Sequence, residues 1–189
     1  MLVVAKGFSK FGSSRFVLSV CWSELNNSMD IDEIKSLLHL QPHPREGGFF
    51  AETYRAAETC VTSAGGRSLA TAIYYLLTPK SFSEMHRLPG DEMFHFYLGD
   101  PVEMLQLYPD GASSIVVLGQ RITLGHKLQH VVPGGVWQGA RLITGGSYAL
   151  LGTTMSPGFA YEDYASGNAG DLLRHWPQRA EMIRALTRA

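Results

Sequence analysis

The chain has 189 residues, 45% hydrophobic and 17% charged, the size and apolar content of one domain with a buried core. A formal net charge of -1 supplies no general pull toward nucleic acid or an acidic membrane surface, and no run of 18 apolar residues is available to cross a bilayer. Two cysteines, Cys21 and Cys60, exclude a disulfide-rich scaffold and offer no CxxC spacing, so a reducing, cytoplasmic location is the simplest fit.

Residues 1–28 stand apart in composition. Lys6, Lys10 and Arg15 precede the first acid, Glu24, and serines are scattered among them. A basic, acid-poor, serine-bearing leader has the composition of an organelle transit peptide, which would make the location organellar. The competing reading, adopted here, is a start at Met29, with residues 1–28 as a disordered tail or upstream readthrough and residues 29–189 as a single domain.

From Asp30 the pattern is that of a short helix. Asp30 with Glu33 forms a capping box, and Ile31, Ile34, Leu37 and Leu38 recur at helical spacing. Gln41-Pro-His-Pro44 ends it. Short β-rich runs follow at Gly48–Arg55, Leu69–Leu77, Glu84–Leu88, Glu92–Leu98, Val102–Tyr108, Ser114–Leu118, Leu128–Val132, Val136–Leu142 and Ser147–Met155. Turn chemistry separates them, as in Pro89-Gly90, Pro109-Asp-Gly111 and Pro133-Gly-Gly135. Asp171 to Arg188 returns to helical spacing, with Pro177 opening a second segment and Ala180, Ile183 and Leu186 on one face. The sum is an all-β core, sandwich or barrel, with a short N-terminal helix and C-terminal helices.

The densest run of chemically able side chains is Glu84 to Gly99. Alternation puts Glu84, His86 and Leu88 on one face, Glu92, Phe94 and Phe96 on one face, and Met93, His95 and Tyr97 on the other. Two adjacent antiparallel strands joined at Pro89-Gly90 would bring His86 to Glu92, an imidazole and a carboxylate able to hold a divalent metal or to work as an acid/base pair. Taken singly, each is equally a buried polar group fixing strand pairing. Arg87 and Asp91 could form a salt bridge or meet a substrate. One of Tyr74 and Tyr75 should face the cavity. Trp137 and Phe94 either wall a ring-shaped ligand or pack the core. Glu52, Tyr54 and Arg55 point to a barrel mouth or a dimer partner, and Gly47-Gly48 to a turn. No phosphate loop and no GxSxG elbow is present.

These motifs resemble the cupin superfamily. Its first motif, G(x)5HxH(x)3–4E(x)6G, is matched by His86-x-Leu88-x-x-x-Glu92-(x)6-Gly99, and its second, G(x)5PxG(x)2H(x)3N, by Pro133-x-Gly135-x-x-Gln138. Leu40-Gln-Pro-His-Pro44, Gly47-Gly48, Glu52-Thr-Tyr-Arg55, Ala72–Leu77, Phe94–Gly99, Val136-Trp-Gln138 and Pro157-Gly-Phe159 resemble one branch, small single-domain cupins of unassigned function. The resemblance implies a jelly-roll β-barrel with a ligand cavity, a homodimer joined through its sheets, and a fold similar to the dTDP-sugar epimerases. Position by position, His86 and Glu92 match the first metal-binding His and the Glu, while Leu88 and Gln138 replace the other two His. Two good ligands and an amide, with His95 as a spare nitrogen on the wrong face, leave at most a weak divalent site and imply no cofactor. The expected function is a cavity binding a small polar molecule, a sugar or a carboxylate. It either isomerises or epimerises that molecule by proton transfer, with His86 and Glu92 catalytic and Gln138, Tyr74, Phe94, Trp137 and Arg87 on the ligand, or binds it without turnover.

Overall fold

The computed structural model describes residues 30–63 and 65–188; the expected leader at 1–28 lies outside them. Helix α1 is Ile31–Leu37. The strands in chain order are β1 (Gln41–Pro42), β2 (Phe49–Arg55), β3 (Thr59–Thr62), β4 (Gly65–Ser68), β5 (Thr71–Leu77), β6 (Ser83–Arg87) and β7 (Glu92–Gly99). They continue with β8 (Val102–Leu107), β9 (Ser113–Leu118), β10 (Gln129–Val132), β11 (Trp137–Leu142), β12 (Ala149–Met155) and β13 (Ala165–Ser166), and helices α2 (Ala169–His175) and α3 (Ala180–Ala185) close the chain.

Two sheets face each other in a jelly-roll arrangement. One is six-stranded, β1-β2-β5-β12-β7-β10, and the other five-stranded, β13-β6-β11-β8-β9. The ladders between these strands are antiparallel. Tyr75, Phe94, Phe96, Met104 and Leu151 fill the space between the sheets. All nine strands expected from the sequence are present. The sequence reading missed β1, the β3–β4 hairpin and β13, which are short and built on Gly, Pro or small polar residues.

The outer faces are covered unevenly. Helix α1 lays Ile34 and Ile31 against Leu76 and Leu150 of the six-stranded sheet. Asp30 occupies the N-cap in extended conformation, but its side chain makes no capping hydrogen bond, so the expected capping box does not form. Helices α2 and α3 bury Leu172, Met182, Ile183 and Leu186 against Met85, Leu105 and Leu107 of the five-stranded sheet. Asn168 caps α2 by accepting from the Asp171 N–H at 3.1 Å.

The strands carrying His86 and Glu92 do not form the expected hairpin. β6 lies in one sheet and β7 in the other, and residues 88–91 cross between them. His86 sits in register with Gln138 and Ser166, and Glu92 with Val132 and Met155. The two side chains therefore meet across the sandwich. Gly47 and Gly48, at φ 98° and 68°, turn the chain after β1 and bring residues 43–46 to the same region, as the glycine pair predicts.

Candidate functional site

His86 is 1% exposed and its ring is fixed from both sides. Nδ1 lies 2.8 Å from the Glu84 carbonyl oxygen, which can only accept, so the Nδ1 proton is set and Nε2 is the free ring nitrogen. Nε2 lies 3.8 Å from Glu92 Oε2, an ion-pair distance longer than a hydrogen bond. The Tyr164 ring stacks on the imidazole at 5.0 Å and 15°. Burial opposes charge on His86, but the carboxylates of Glu46 and Glu92 and the Glu84 carbonyl outweigh it and push the pKa up to about 9. His86 is therefore an imidazolium at neutral pH.

The same oxygen of Glu92 accepts from Gln138, whose Nε2 donates to Oε2 at 2.7 Å. Gln138 is 2% exposed, and its Oε1 is buried with no hydrogen-bond partner. Glu84 anchors the floor of this corner: its carboxylate accepts from Tyr164 Oη at 3.2 Å and Ser166 Oγ at 3.0 Å and pairs with Arg188 at 3.2 Å. Burial, then Glu46 and Glu84, pushes the Tyr164 phenol far above its ordinary range, so it stays a donor.

Glu92 and Leu88 open onto a cavity of about 250 Å³. Its other walls come from residues to which sequence reasoning gave no site role, His43, Glu46, Phe50, Phe159, Tyr161 and Tyr164, together with Glu52 and Arg55. His43 Nδ1 accepts the backbone N–H of Glu46 at 2.8 Å, which leaves the proton of the neutral ring on Nε2. Burial lowers the His43 pKa despite the nearby Glu46. Glu46 is buried and accepts from Ser83 Oγ at 2.5 Å. Glu52 and Arg55 close on each other at 2.6 and 3.0 Å at the cavity edge, so the mouth placement suggested by the sequence holds for both. The sequence signal for the 43–46 wall was the Pro-His-Pro run before two glycines, which marks a turn and not a pocket.

Several residues expected on the ligand stand elsewhere. Tyr74 lies on the outer face of its sheet with the α1 cluster and meets Tyr97 edge-on at 6.0 Å; Tyr75 is the inward tyrosine, donating to the Gly47 carbonyl at 2.8 Å. Trp137 packs toward the C-terminal helices, and the Arg87 guanidinium lies over its ring at 4.8 Å on that outer side. Arg87 makes no bridge to Asp91, which instead accepts the Gly134 N–H at 2.8 Å. Phe94 is in the core between the sheets, not among the cavity-lining residues. His95 points outward, against Thr154 at 3.0 Å and Gln129 at 3.0 Å, away from Glu92, as alternation dictates.

No group of three His, Cys, Asp or Glu suited to a metal ion occurs among the described residues. Leu88 presents an alkyl chain where a second imidazole would bind, and Gln138 turns its N–H, not its oxygen, to Glu92.

A jelly roll with a buried imidazole–carboxylate pair at the edge of its cavity defines the class. Residues 32–166 match the model of the cupin superfamily family DUF985, and the chain belongs to that family. It is 31% identical over 145 residues, 69% of this chain and 72% of the other, to the uncharacterised protein YML079W of Saccharomyces cerevisiae. A hypothetical protein from Leishmania major superposes with a TM-score of 0.80 at 30% identity, over 85% of this chain and 100% of that one. Protein SO0799 from Shewanella oneidensis gives 0.77 at 30% identity, over 85% and 98%. Oxalate decarboxylase from Bacillus subtilis, at 14% identity and a TM-score of 0.50 over 78% of this chain and 37% of that one, shares the fold alone. No helix among the described residues is long and apolar enough to cross a membrane.

Proposed function

We propose that the cavity binds a small polar molecule, a sugar or a carboxylate, and moves a proton on it, as in isomerisation or epimerisation. The observation that carries this reading is Glu92, which lines the cavity, backed at 3.8 Å by Nε2 of the buried His86, whose ring is held through Nδ1. An imidazolium held to about pH 9 is the acid of such a pair, and Glu92, which lines the cavity, is the base. Gln138 orients Glu92 through its 2.7 Å hydrogen bond. No metal step enters the reading.

The test is solvent exchange. Candidate sugars and hydroxy acids are incubated with the protein in D2O, and loss of carbon-bound protons is followed by NMR. Exchange that disappears in His86→Asn and Glu92→Gln while binding persists supports proton transfer. Binding without exchange supports the second reading, a non-catalytic binding module. That reading draws on the burial of His86, which is 1% exposed and not among the cavity-lining residues.

The proposal includes a homodimer. Met93 and Val131, paired in register on the outer face of the six-stranded sheet, and Tyr97 beside them are exposed apolar side chains of the kind a second copy would cover. Sedimentation velocity should find a dimer, and Met93→Glu should shift it to monomer.

A further inference from the structure

The cavity holds more carboxylate than cation. Glu52 is closed on Arg55 by two hydrogen bonds, so that pair adds no net charge. Glu92 faces His86, the one imidazolium of the corner. Glu46 lines the same cavity, buried, accepts from the neutral hydroxyl of Ser83, and has only the His86 imidazolium, which it shares with Glu92, to offset its charge. His43, neutral and bound through Nδ1 to the Glu46 N–H, brings no compensating charge. The other nearby cations are occupied: Arg188 pairs with Glu84, and Arg45 lies over the Tyr161 ring at 5.6 Å and donates to the Tyr161 carbonyl.

Acceptors are in surplus as well. Gln138 Oε1 is buried and unpartnered beside Glu92. The carboxylates of Glu46 and Glu92 line the cavity and add further acceptors. A buried acceptor without a donor costs stability until something donates to it. Phe50, Phe159 and Tyr161 supply flat apolar walls to the cavity that the Glu46 and Glu92 carboxylates line. Flat walls with inward acceptors suit a ring that carries hydroxyls or an ammonium, and a second negative charge near Glu46 and Glu92 is repelled in a site shielded from water.

We infer that the cavity selects donor-rich ligands without negative charge, a polyhydroxylated ring in its neutral or amino form, and that Glu46 turns the carboxylate form away. This rests on the small-molecule reading above and narrows it from sugar or carboxylate to sugar.

The experiment titrates the full-length 15N-labelled protein near neutral pH with matched sets. These are glucose, galactose and mannose, the corresponding uronates, and the corresponding 2-amino sugars. The expected result is that at least one neutral or amino sugar shifts resonances of His43, Thr71 and Tyr161, with the matched uronate at least about tenfold weaker. Glu46→Gln keeps an acceptor for Ser83 and nearly the same volume, and it should close that gap by about tenfold. A uronate bound as tightly as its neutral partner overturns the charge selection and leaves the sugar-binding reading standing. No binding by any member of the panel overturns both. The wild-type comparison decides the ligand class even if Glu46→Gln does not fold.

Discussion

Two histidines near one cavity, His43 in its wall and His86 buried behind Glu92, are driven in opposite directions. His86, on β6 of the five-stranded sheet, is the more deeply buried, yet it is charged, because Glu46, Glu92 at 3.8 Å and the Glu84 carbonyl overcome its desolvation. His43, on the turn after β1, is less buried, yet it is neutral: its Nδ1 is taken by a backbone N–H, and desolvation outweighs the attraction of Glu46. Burial alone would have ranked them the other way round. What decides is which partner each ring nitrogen meets, a donor at His43 and acceptors at His86.

The comparison breaks most severely at Glu92. Replacing it with Leu leaves the His86 imidazolium buried beside an alkyl chain and strips Gln138 Nε2 of its acceptor. We expect a loss of about 3–5 kcal/mol in urea denaturation at neutral pH, together with a fall in the His86 pKa. Glu92→Gln preserves volume and an acceptor, so it should cost clearly less. Equal costs for both would show that the carboxylate charge does not sustain the imidazolium.

The pH dependence sharpens the contrast because the two histidines act with opposite signs. The folded pKa of His86, about 9, lies above its ordinary 6.5, so its contribution is complete below about pH 6.5 and is lost as pH rises toward 9. The folded pKa of His43 is lowered, so its penalty appears as pH falls below 6.5. Stability should therefore fall on the alkaline side by on the order of 3 kcal/mol, and His86→Gln should flatten that limb. His43→Gln should flatten only the acid side, by less. NMR titration of the ring nitrogens assigns each limb to its histidine. An alkaline limb that survives His86→Gln would mean that another group carries it.

Much of the first wall was legible in the sequence and little of the second. Alternation along β6 and β7 correctly placed His86 with Leu88 and Glu92 with Phe94, because a strand fixes side-chain direction whatever it pairs with. It could not reveal that residues 88–91 cross between sheets, since a Pro-Gly turn serves a hairpin and a crossover alike. Tyr74 and Trp137 were misplaced for a related reason. Helices cover the outer faces at both positions, so the polar/apolar alternation that marks inside from outside is erased. The wall at His43 and Glu46 has no period at all. It is set by two left-handed glycines, and the distant Tyr164 arrives from beyond β12.

The smallest effect tests whether Tyr164 supports His86 through its ring or its hydroxyl. Its Oη donates to Glu84 Oε1 at 3.2 Å, but Ser166 Oγ at 3.0 Å already serves the same oxygen and Arg188 serves the other. Glu84 therefore stays satisfied in Tyr164→Phe, which should cost about 1 kcal/mol or less and leave the His86 titration in place. Tyr164→Leu also removes the ring stacked at 5.0 Å and should cost about 1 kcal/mol more, with a shift in the His86 ring resonances. If Phe were as damaging as Leu, the hydroxyl would be the support, and Glu84, which holds the His86 ring through its carbonyl, would be held mainly by the chain that returns after β12. If Phe is benign, the corner is a stacked pair, and its geometry depends on the flat face of Tyr164 more than on the hydrogen bonds beneath it.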